Sequence, residues 1–329
     1  MRIAIDAMGG DFATAVTVPA SINALAHNRD IRQIILFGDQ SVINARLNPL
    51  LAKPIYQSLA DKIAIQHTQH SVQMSDRPAE VLRRQLDTSM QLALNAVVND
   101  QADACVSAGN TGALIGLARH SIGLLSGVKR LAICAQLPTL RSNTYLLDIG
   151  ANVDCSAEQL HQFAKMGSAL SASMHGILNE PRVRALSIGA EAGKGNIAVN
   201  KAVALCESDS SIHFEGLIEG NALLNGDCEV IFCDGFVGNI ALKSCEGTAS
   251  YIRSSFEESI AGNDQGVKGL EPMLKTIDPE QFNGACLLGL DHLVFKSHGA
   301  STVKGFSAAI DKAANAVTGG LIKKLSAAM

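Results

Sequence analysis

The residues from Ser107 to Thr111 interrupt an apolar stretch of the chain with small polar side chains and glycine. The apolar residues before this segment predict a buried strand, and the helical spacing of apolar residues after it predicts a helix. Gly109 and Gly112 would let the backbone approach a ligand closely, and Ser107, Asn110 and Thr111 offer short hydrogen-bonding side chains. Because the first N–H groups of a helix favour negative charge, the segment is a candidate anion site. Asn110 or Thr111 could instead serve only as the cap of that helix.

The first predicted strand ends in two acids that bracket a pair of glycines, Asp6-Ala7-Met8-Gly9-Gly10-Asp11. Paired glycines at a strand end favour close approach of the backbone, so Gly9 and Gly10 are candidate substrate-binding residues. Asp6 and Asp11 could orient a cationic group, bind a metal together with acids elsewhere, or cap turns. No local carboxylate cluster or histidine spacing supports a metal, so we predict substrate binding and no metal ligands.

Two later turns repeat this order of strand, glycine, polar residues and helix. Asp148, Asn152 and Asp154 follow one predicted strand. Asp234 follows another, and Lys243 lies in the helix behind it. If such turns lie side by side, their side chains would face one cleft and contact a substrate. For the first of these turns the alternative is that Asp154 or Ser156 only caps a helix.

A lysine and a histidine also lie in small-residue turns. Lys194 lies in Gly189-Ala190-Glu191-Ala192-Gly193-Lys194-Gly195-Asn196, which resembles a Walker A loop at first sight. The glycine spacing is one residue short and Gly195 replaces the Ser or Thr that would bind magnesium, so a nucleoside triphosphate is disfavoured. Lys194 can still serve another anion. His298, between a serine and a glycine, is a candidate for catalysis, although a lone histidine more often has a structural role.

Arginines precede the candidate anion turn. Arg77, Arg83 and Arg84 lie in a short basic stretch, and the guanidinium fork matches two oxygens of a phosphate or carboxylate. A solvated helix face is the alternative interpretation.

Composition limits the class of protein. The chain has 329 residues with 47% hydrophobic and 18% charged side chains, which is typical of a globular protein with one large core or two domains. A net charge of −4 and the absence of Trp argue against a globally basic or aromatic nucleic-acid binder. Eight cysteines without a C-x-x-C pair predict reduced, buried thiols in a cytosolic protein. No apolar run reaches the roughly 18 residues of a membrane span, and no signal peptide pattern opens the chain.

Strand-like and helix-like segments alternate along the whole chain. This order predicts a mostly parallel sheet with helices on both faces, a three-layer α/β/α sandwich. We predict ten strands and three long helices over 158–178, 238–260 and 302–325. No linker or repeat divides the chain, so we predict one domain over 1–329. The more charged segment at about 250–282 has few large apolar residues and predicts a helical excursion from that domain.

Five motifs together resemble one protein family. They are Asp6-Ala7-Met8-Gly9-Gly10-Asp11, Val106-Ser107-Ala108-Gly109-Asn110-Thr111-Gly112-Ala113-Leu114, Leu147-Asp148-Ile149-Gly150-Ala151-Asn152-Val153-Asp154, Asp234-Gly235-Phe236-Val237-Gly238-Asn239 and Lys296-Ser297-His298-Gly299. In this order they resemble the bacterial phosphate acyltransferase (PlsX) family. The resemblance implies a fold similar to phosphotransacetylases and isopropylmalate-type dehydrogenases, a homodimer, and no cofactor. It implies transfer of a fatty acyl group from acyl carrier protein to inorganic phosphate, early in phospholipid synthesis.

Some details depart from the family pattern. After Gly10-Asp11 the family often continues with His or Phe and then Pro or Gly, whereas Phe12-Ala13-Thr14 follows here. Arg83-Arg84-Gln85 is less basic than in many relatives. The stretch Gly189-Ala190-Glu191-Ala192 lacks one of the acids commonly found before the Lys-Gly pair. These differences affect the finer contacts rather than the expected reaction.

The expected reaction needs little activation of its reactants. Phosphate is already a nucleophile near neutral pH and a thiolate leaves readily, so positioning and charge stabilisation can supply the rate. We expect the turn at 107–111 to hold phosphate, and Lys194 and Asn239 to meet the carbonyl oxygen as it becomes negative. His298 is a candidate proton donor or phosphate ligand.

A covalent acyl-cysteine is the rival mechanism. Cys105, Cys155 and Cys233 lie beside the candidate turns. No histidine is paired with any of them locally, and each lies in a stretch that predicts core, so we disfavour this route.

The resemblance also implies partner surfaces. Acyl carrier protein is acidic, so a basic patch should steer it. Two patches are candidates: Arg77 with Arg83 and Arg84, or Arg253 with Lys268 and Lys275. In the 250–282 segment three apolar residues lie close together, Leu270, Met273 and Leu274. We expect this segment to contact a membrane or to act in dimerisation alone, in a cytoplasmic, peripherally membrane-associated homodimer.

Two other functions stay open at this point. One is a metal- and NAD-dependent decarboxylating dehydrogenase on a related fold, which needs an acid cluster that the sequence does not present. The other is a non-catalytic protein that binds an acyl carrier or phosphate without turnover.

Overall fold

The computed structural model describes residues 1–84, 86–141, 143–175, 180–260 and 278–329. This part of the chain forms one eleven-stranded sheet: β1 (Arg2–Asp6), β2 (Gln33–Gly38), β3 (Ile63–His67), β4 (Ala104–Ser107), β5 (Ala132–Leu137), β6 (Thr144–Leu147), β7 (Arg182–Ser187), β8 (His213–Glu219), β9 (Val230–Phe232), β10 (Ala285–Leu288) and β11 (Leu293–Lys296). Its α-helices are α1 (Thr14–His27), α2 (Gln40–Leu51), α3 (Pro78–Arg84), α4 (Ser89–Val98), α5 (Thr111–Ser121), α6 (Ala157–His175), α7 (Ile197–Ser208), α8 (Gly235–Ile260), α9 (Val303–Thr318) and α10 (Leu321–Ala328).

The sheet consists of two parallel halves that run in opposite directions. The strand order is β3-β2-β1-β4-β11-β10-β5-β6-β9-β7-β8. The first five strands are mutually parallel, and so are the last four. Antiparallel pairing of β10 with both β11 and β5, and of β5 with β6, reverses the direction between the halves. The carboxyl ends of β1, β4 and β11 therefore lie at the opposite edge of the sheet from those of β6, β7 and β9.

Helices cover both faces of the sheet. Side chains alternate along each strand, so Ile3 and Ile5 join one buried cluster while Ala4 joins another. The first cluster includes residues of α1, α2, α6, α7, α9 and α10, whereas the other face carries α4, α5 and α8. The predicted three-layer α/β/α class with a mostly parallel sheet is confirmed.

The structure differs from the sequence prediction in three elements. The prediction missed β10, whose residues Ala285–Leu288 include no β-branched or aromatic side chain that would favour a strand. The helix predicted over 302–325 is two helices, because Gly320 adopts a left-handed φ of 65° between α9 and α10. The helix predicted from residue 238 begins at Gly235. Most of the predicted 250–282 excursion lies outside the described residues.

Candidate active site

The last residues of three neighbouring strands form one row at an edge of the sheet. Asp6 of β1 is in register with Ser107 of β4, which is in register with Lys296 of β11. All three residues are buried, and as neighbours in one row their side chains leave the sheet on the same face. The turns behind this row form what we call the first turn group: Asp6–Asp11, Ser107–Thr111 and Lys296–Gly299.

The carboxylate of Asp6 holds two other segments in place. Ser89 Oγ donates to Asp6 Oδ1 at 2.6 Å, and Ser107 Oγ donates to Asp6 Oδ2 at 2.7 Å. The backbone N–H of Gly109 in turn donates to Ser107 Oγ at 3.0 Å. Burial raises the pKa of Asp6, while the two seryl hydroxyls and the charge of Lys296 act against this rise. In this arrangement the Ser107 hydroxyl supports the turn, since its hydrogen is already donated to Asp6.

Glycines let the turns close on Asp6. A Cβ added at Gly9 would lie 2.5 Å from Asp6 Oδ2 and 2.8 Å from the nitrogen of Gly109. A Cβ added at Gly109 would lie 2.5 Å from Met90 Cε and 3.2 Å from Asp6 Oδ2. The close approach that these glycines permit is therefore between the turns themselves, and not only towards a ligand.

Asn110 acts as a cap and as a clamp. Its Oδ1 accepts from the N–H of Ala113, which caps α5, and its Nδ2 donates to the carbonyl oxygens of Met74 and Asp76 at 2.9 and 3.0 Å. Its side chain is thus fully engaged with the protein. Across the described residues, no protein acceptor receives the backbone N–H of Asn110 or of the next two residues. These three N–H groups at the start of α5 are the part of the turn that can bind an anion.

Sequence reasoning assigned no role to Lys296, although one of the quoted motifs contains it. Its Nζ donates to the carbonyl oxygen of Ala108 at 3.2 Å and to that of Ser297. Burial lowers the pKa of Lys296 to about 8, and the charges of Asp6 and Asp11 oppose this shift. One feature of the sequence could have indicated this residue: Lys296 is the last residue of β11, whose other residues are apolar.

His298 contacts a helix from the other half of the sheet. Its Nε2 lies 3.2 Å from Glu246 Oε1 of α8, and Lys243 Nζ donates to Glu246 Oε2 at 2.7 Å. Burial acts to raise the pKa of Glu246, but the hydrogen bonds from His298 and Lys243 outweigh it and lower that pKa. The backbone N–H of His298 donates to Asn283 Oδ1 at 3.1 Å. The structure thus brings two predicted site residues, His298 and Lys243, together through Glu246, which the sequence did not single out.

A second turn group, Asp148–Asn152 and Cys233–Asn239, is organised by another buried carboxylate. Asp148 accepts five hydrogen bonds, from the backbone N–H groups of Ile133, Gly150, Ala151 and Asn152 and from Asn152 Nδ2. Burial raises the pKa of Asp148, and these N–H donors oppose the rise. Asp148 and Asn152 therefore shape the turn in this structure, and direct contact with a substrate would require them to give up these bonds.

The other predicted residues of this region differ in exposure. Asp234 Oδ1 accepts from the N–H of Val237 at 2.8 Å and so caps the start of α8. Asp154 and Asn239 are exposed.

Within one chain the two turn groups lie far apart. They follow strands of opposite direction, and α8 connects them, with Gly235 at the second group and Glu246 at the first. Eleven residues of helix span about 16 Å. Lys194 follows β7, beyond the second turn group, and is exposed. The structure does not bring Lys194 or Asn239 to the first turn group of the same chain.

The predicted basic patch borders the first turn group. Arg77 and Arg84 have side chains that are 84% and 53% exposed, and Arg83 is also exposed. Arg84 lies 3.7 Å from Asp76, whose carbonyl oxygen Asn110 binds. Of the alternative patch, Arg253 lies on α8. Outside the described residues lie Lys268, Leu270, Met273, Leu274 and Lys275.

The cysteines beside the turns are poor nucleophiles as placed. Burial raises the pKa of Cys105 and Cys233 and raises that of Cys155 to about 12. Since the thiolate is the reactive form, this environment works against an acyl-cysteine intermediate.

The described part of the chain contains neither a cluster of metal ligands nor a membrane-spanning helix. No group of three or more His, Cys, Asp or Glu side chains there converges as ligands of a metal ion would. No helix there is long and apolar enough to cross a membrane.

The fold places the chain in a class shared with phosphotransacetylases. A phosphotransacetylase from Streptococcus pyogenes superposes with a TM-score of 0.61 at 17% identity, covering 97% of this chain and 94% of that one. A 4-hydroxythreonine-4-phosphate dehydrogenase from Klebsiella pneumoniae gives a TM-score of 0.54 at 12% identity, covering 96% and 98%. At such low identities the likeness establishes the fold alone.

Sequence comparison identifies the family. A family model described as fatty acid synthesis protein matches residues 1–324. A phosphate acyltransferase of Vibrio campbellii is 42% identical over 327 residues, which cover 96% of this chain and 93% of that protein. The chain belongs to the phosphate acyltransferase family and is an acyltransferase, as the sequence motifs predicted.

Proposed function

We propose that this acyltransferase moves a fatty acyl group from the thioester of acyl carrier protein to inorganic phosphate. The products are an acyl phosphate and the free carrier, and the reaction would be an early step of bacterial phospholipid synthesis. The observation that carries the proposal is the first turn group, where three unpaired N–H groups at the start of α5 adjoin a buried lysine. This arrangement suits a small, strongly charged anion such as phosphate.

Phosphate would bind at the start of α5. The backbone N–H groups of Asn110, Thr111 and Gly112 supply hydrogen bonds, and the positive end of the helix dipole adds to them. The glycine turn at Gly9–Gly10 closes the site from the β1 side. Ser107 and Asp6 would act through the geometry of this turn.

The reaction would proceed by direct attack. A phosphate oxygen forms a bond to the thioester carbonyl carbon, the carbon–sulfur bond breaks, and the departing thiolate takes up a proton. We propose that His298, whose Nε2 lies 3.2 Å from Glu246 Oε1, gives that proton. Lys194 and Asn239 remain our proposal for stabilising the carbonyl oxygen as it becomes negative. Because they lie at the opposite sheet edge of their own chain, this role requires a second copy of the chain or movement of that edge.

A homodimer would supply that second copy. Phe236, Ile240 and Tyr251 of α8 are 59%, 52% and 73% exposed, which leaves an apolar face that a second chain could cover. The acidic carrier would dock at Arg77, Arg83 and Arg84, beside the first turn group. Peripheral membrane contact through the 250–282 segment rests on the family resemblance.

A turnover assay tests the proposal. Long-chain acyl carrier protein is incubated with the enzyme and inorganic phosphate, without metal or nucleotide, and the free carrier and acyl phosphate are measured. We expect release of the carrier only when phosphate is present. Carrier or phosphate binding without turnover would indicate a non-catalytic protein. Activity that appears only with a divalent metal and a dinucleotide would support the dehydrogenase alternative.

The same assay tests the two oxyanion residues. Loss of one oxyanion donor typically costs roughly 10²- to 10³-fold in rate. We expect losses of this size for Lys194→Ala and Asn239→Ala, with folding checked by circular dichroism. Near-normal turnover of both folded variants would refute the assignment.

A further inference from the structure

We propose that Lys296 is the positioning residue for phosphate in the first turn group: its buried ammonium fixes the Ala108–Gly109 peptide from the carbonyl side and provides a positive charge beneath the bound anion. This inference rests on the proposed function only in naming phosphate as the substrate. It gives a specific role to the buried lysine of the first turn group.

Side chains hold both polar groups of the Ala108–Gly109 peptide. The carbonyl oxygen of Ala108 accepts from Lys296 Nζ at 3.2 Å, while the N–H on the other side of the same peptide, that of Gly109, donates to Ser107 Oγ at 3.0 Å. Both polar groups of one peptide are therefore held by side chains of the row Asp6, Ser107 and Lys296. The next three N–H groups of the chain are those that face no protein acceptor. Fixing this peptide fixes the direction of those three groups.

The charges around Lys296 favour a further anion beside it. Lys296 is 9% exposed and Asp6 is 1% exposed, so both charges have lost most of their solvent. The charged groups that bear on Lys296 are Asp6 from β1, Asp11 from the following turn and Lys243 from α8. A buried ammonium faced by Lys243 as well as by two acids gains from a further anion nearby. A bound phosphate would supply that anion.

The hydrogen bonds of Lys296 do not require its positive charge. A lysine ammonium has three hydrogens, and Lys296 donates two of them, to Ala108 and to Ser297. If the amine lost its proton, it would keep donors for both carbonyls but lose the charge. A purely structural lysine would therefore tolerate deprotonation, whereas a lysine that attracts phosphate would not.

This difference predicts a pH dependence. Burial lowers the pKa of Lys296 to about 8, so its ammonium is lost as the pH rises through that value. Phosphate itself is already a dianion at that pH. We expect the KM for phosphate to increase at least about tenfold between pH 7.5 and 9.5, with little change in the KM for the acyl carrier.

The decisive variants are Lys296→Met and Lys296→Arg. For Lys296→Met we expect a KM for phosphate about 10²-fold above that of the wild type at pH 7.5, and no further increase up to pH 9.5. Lys296→Arg keeps its charge throughout this range. At pH 7.5 its KM for phosphate should therefore lie between those of the wild type and Lys296→Met. This KM should also stay constant up to pH 9.5.

Lys312→Met is the matched control. Lys312 also donates to a backbone carbonyl, that of Phe282 at 2.6 Å, and burial lowers its pKa to about 7, but its ammonium contacts none of the turns. We expect this variant to keep the KM for phosphate of the wild type and its dependence on pH. Equal effects of Lys296→Met and Lys312→Met would show a general consequence of removing a buried lysine and would overturn the proposal.

Phosphate binding measured without turnover separates this inference from the proposed function. Isothermal titration of the wild-type protein with inorganic phosphate at pH 7.5 and 9.5 requires no acyl substrate and no variant that must fold. Weaker binding at pH 9.5 supports the role of Lys296 even if the turnover assay fails. Active enzyme whose affinity for phosphate is the same at both pH values would overturn the inference while the proposed function stands.

Discussion

The buried carboxylate of Asp6 accepts hydrogen bonds from the hydroxyls of Ser89 and Ser107, which differ in their other contacts. The hydroxyl of Ser89 in α4 donates to Asp6, whereas the hydroxyl of Ser107 donates to Asp6 and also accepts from the N–H of Gly109. Both residues are buried to at least 99%. They therefore offer a comparison in which the loss of a hydrogen bond to Asp6 is the same and only the effect on the turn differs.

We expect Ser89→Ala and Ser107→Ala each to lower the free energy of unfolding by about 1–3 kcal/mol, because each leaves Asp6 with one donor fewer. Only Ser107→Ala should also raise the KM for phosphate, since it releases the peptide that precedes the N–H groups at the start of α5. Urea denaturation and steady-state kinetics measure the two effects. Similar values of KM for the two variants would contradict the role given to Ser107.

The role of a single residue could be predicted where its partners lie close to it in sequence. Asn110 was expected either to bind an anion or to cap a helix, and its capping bond to Ala113 depends only on residues close in sequence. Its clamp on Met74 and the contacts of Lys296 with Ala108 connect segments far apart in sequence. Such partners depend on strand order, which no local pattern specifies.

At the scale of elements, the docking of α8 depends on a close contact at its first turn. A Cβ added at Gly238 would overlap the carbonyl oxygen of Asp148 and would lie 2.9 Å from Cys233 Sγ. Gly247, nine residues along the same helix, has nothing within 4 Å of the position of an added Cβ. The two glycines thus separate the effect of packing from the effect of helix propensity.

We expect Gly238→Ala to destabilise the protein by about 1–3 kcal/mol or more, because the second turn group must move to admit the methyl group. Gly247→Ala should stabilise it by about 0.5–1 kcal/mol, as alanine replaces glycine in an open helical position. Chemical denaturation of both variants measures the difference. Equal stabilities would show that α8 does not dock as described.

The elements were predictable where a long pattern supports them. The parallel strands and the long helices carry clear hydrophobic periods, and their positions agree with the prediction to within a few residues. The strand β10 was missed because Ala285–Leu288 contains no β-branched or aromatic residue. Because β10 is antiparallel to both β11 and β5, these two strands share one direction, and the antiparallel pairing of β5 with β6 gives the two halves their opposite directions. No local pattern specifies that pairing, so the separation of the two turn groups could not be predicted.

At the scale of the whole molecule, burial of thiols links stability to pH. Burial raises the pKa of all eight cysteines above the ordinary value of 9.0. Unfolded thiols ionise near pH 9 while the folded ones stay protonated, so each thiol contributes stability that is lost as the pH rises above about 9. Lys296 and Lys312 act in the opposite direction up to the ordinary lysine pKa of 10.5, because their pKa values are lowered on folding.

With eight thiols against two lysines, we expect the free energy of unfolding to fall between pH 9 and 10.5. Each thiol contributes up to about 1.4 kcal/mol per pH unit. Urea denaturation under reducing conditions measures the slope, and Cys206→Ala should make it less steep while the slope below pH 8 stays unchanged. A stability that stays constant or rises between pH 9 and 10.5 would contradict this picture.

We propose that phosphate binds at one edge of the sheet. The first turn group lies at the carboxyl ends of β1, β4 and β11, and the second lies at the opposite edge, about 16 Å away along α8. The sequence motifs alone could not separate them, because both groups share the same order of strand, glycine turn and helix. What the structure adds is the direction of the strands.

The position of bound phosphate tests this account most directly. A crystal structure of the enzyme with inorganic phosphate would show where the anion lies. We predict phosphate at the start of α5, accepting hydrogen bonds from the backbone N–H groups of Asn110, Thr111 and Gly112, with the ammonium of Lys296 nearby. Phosphate bound instead at Lys194 or in the second turn group, with nothing at the start of α5, would contradict the account.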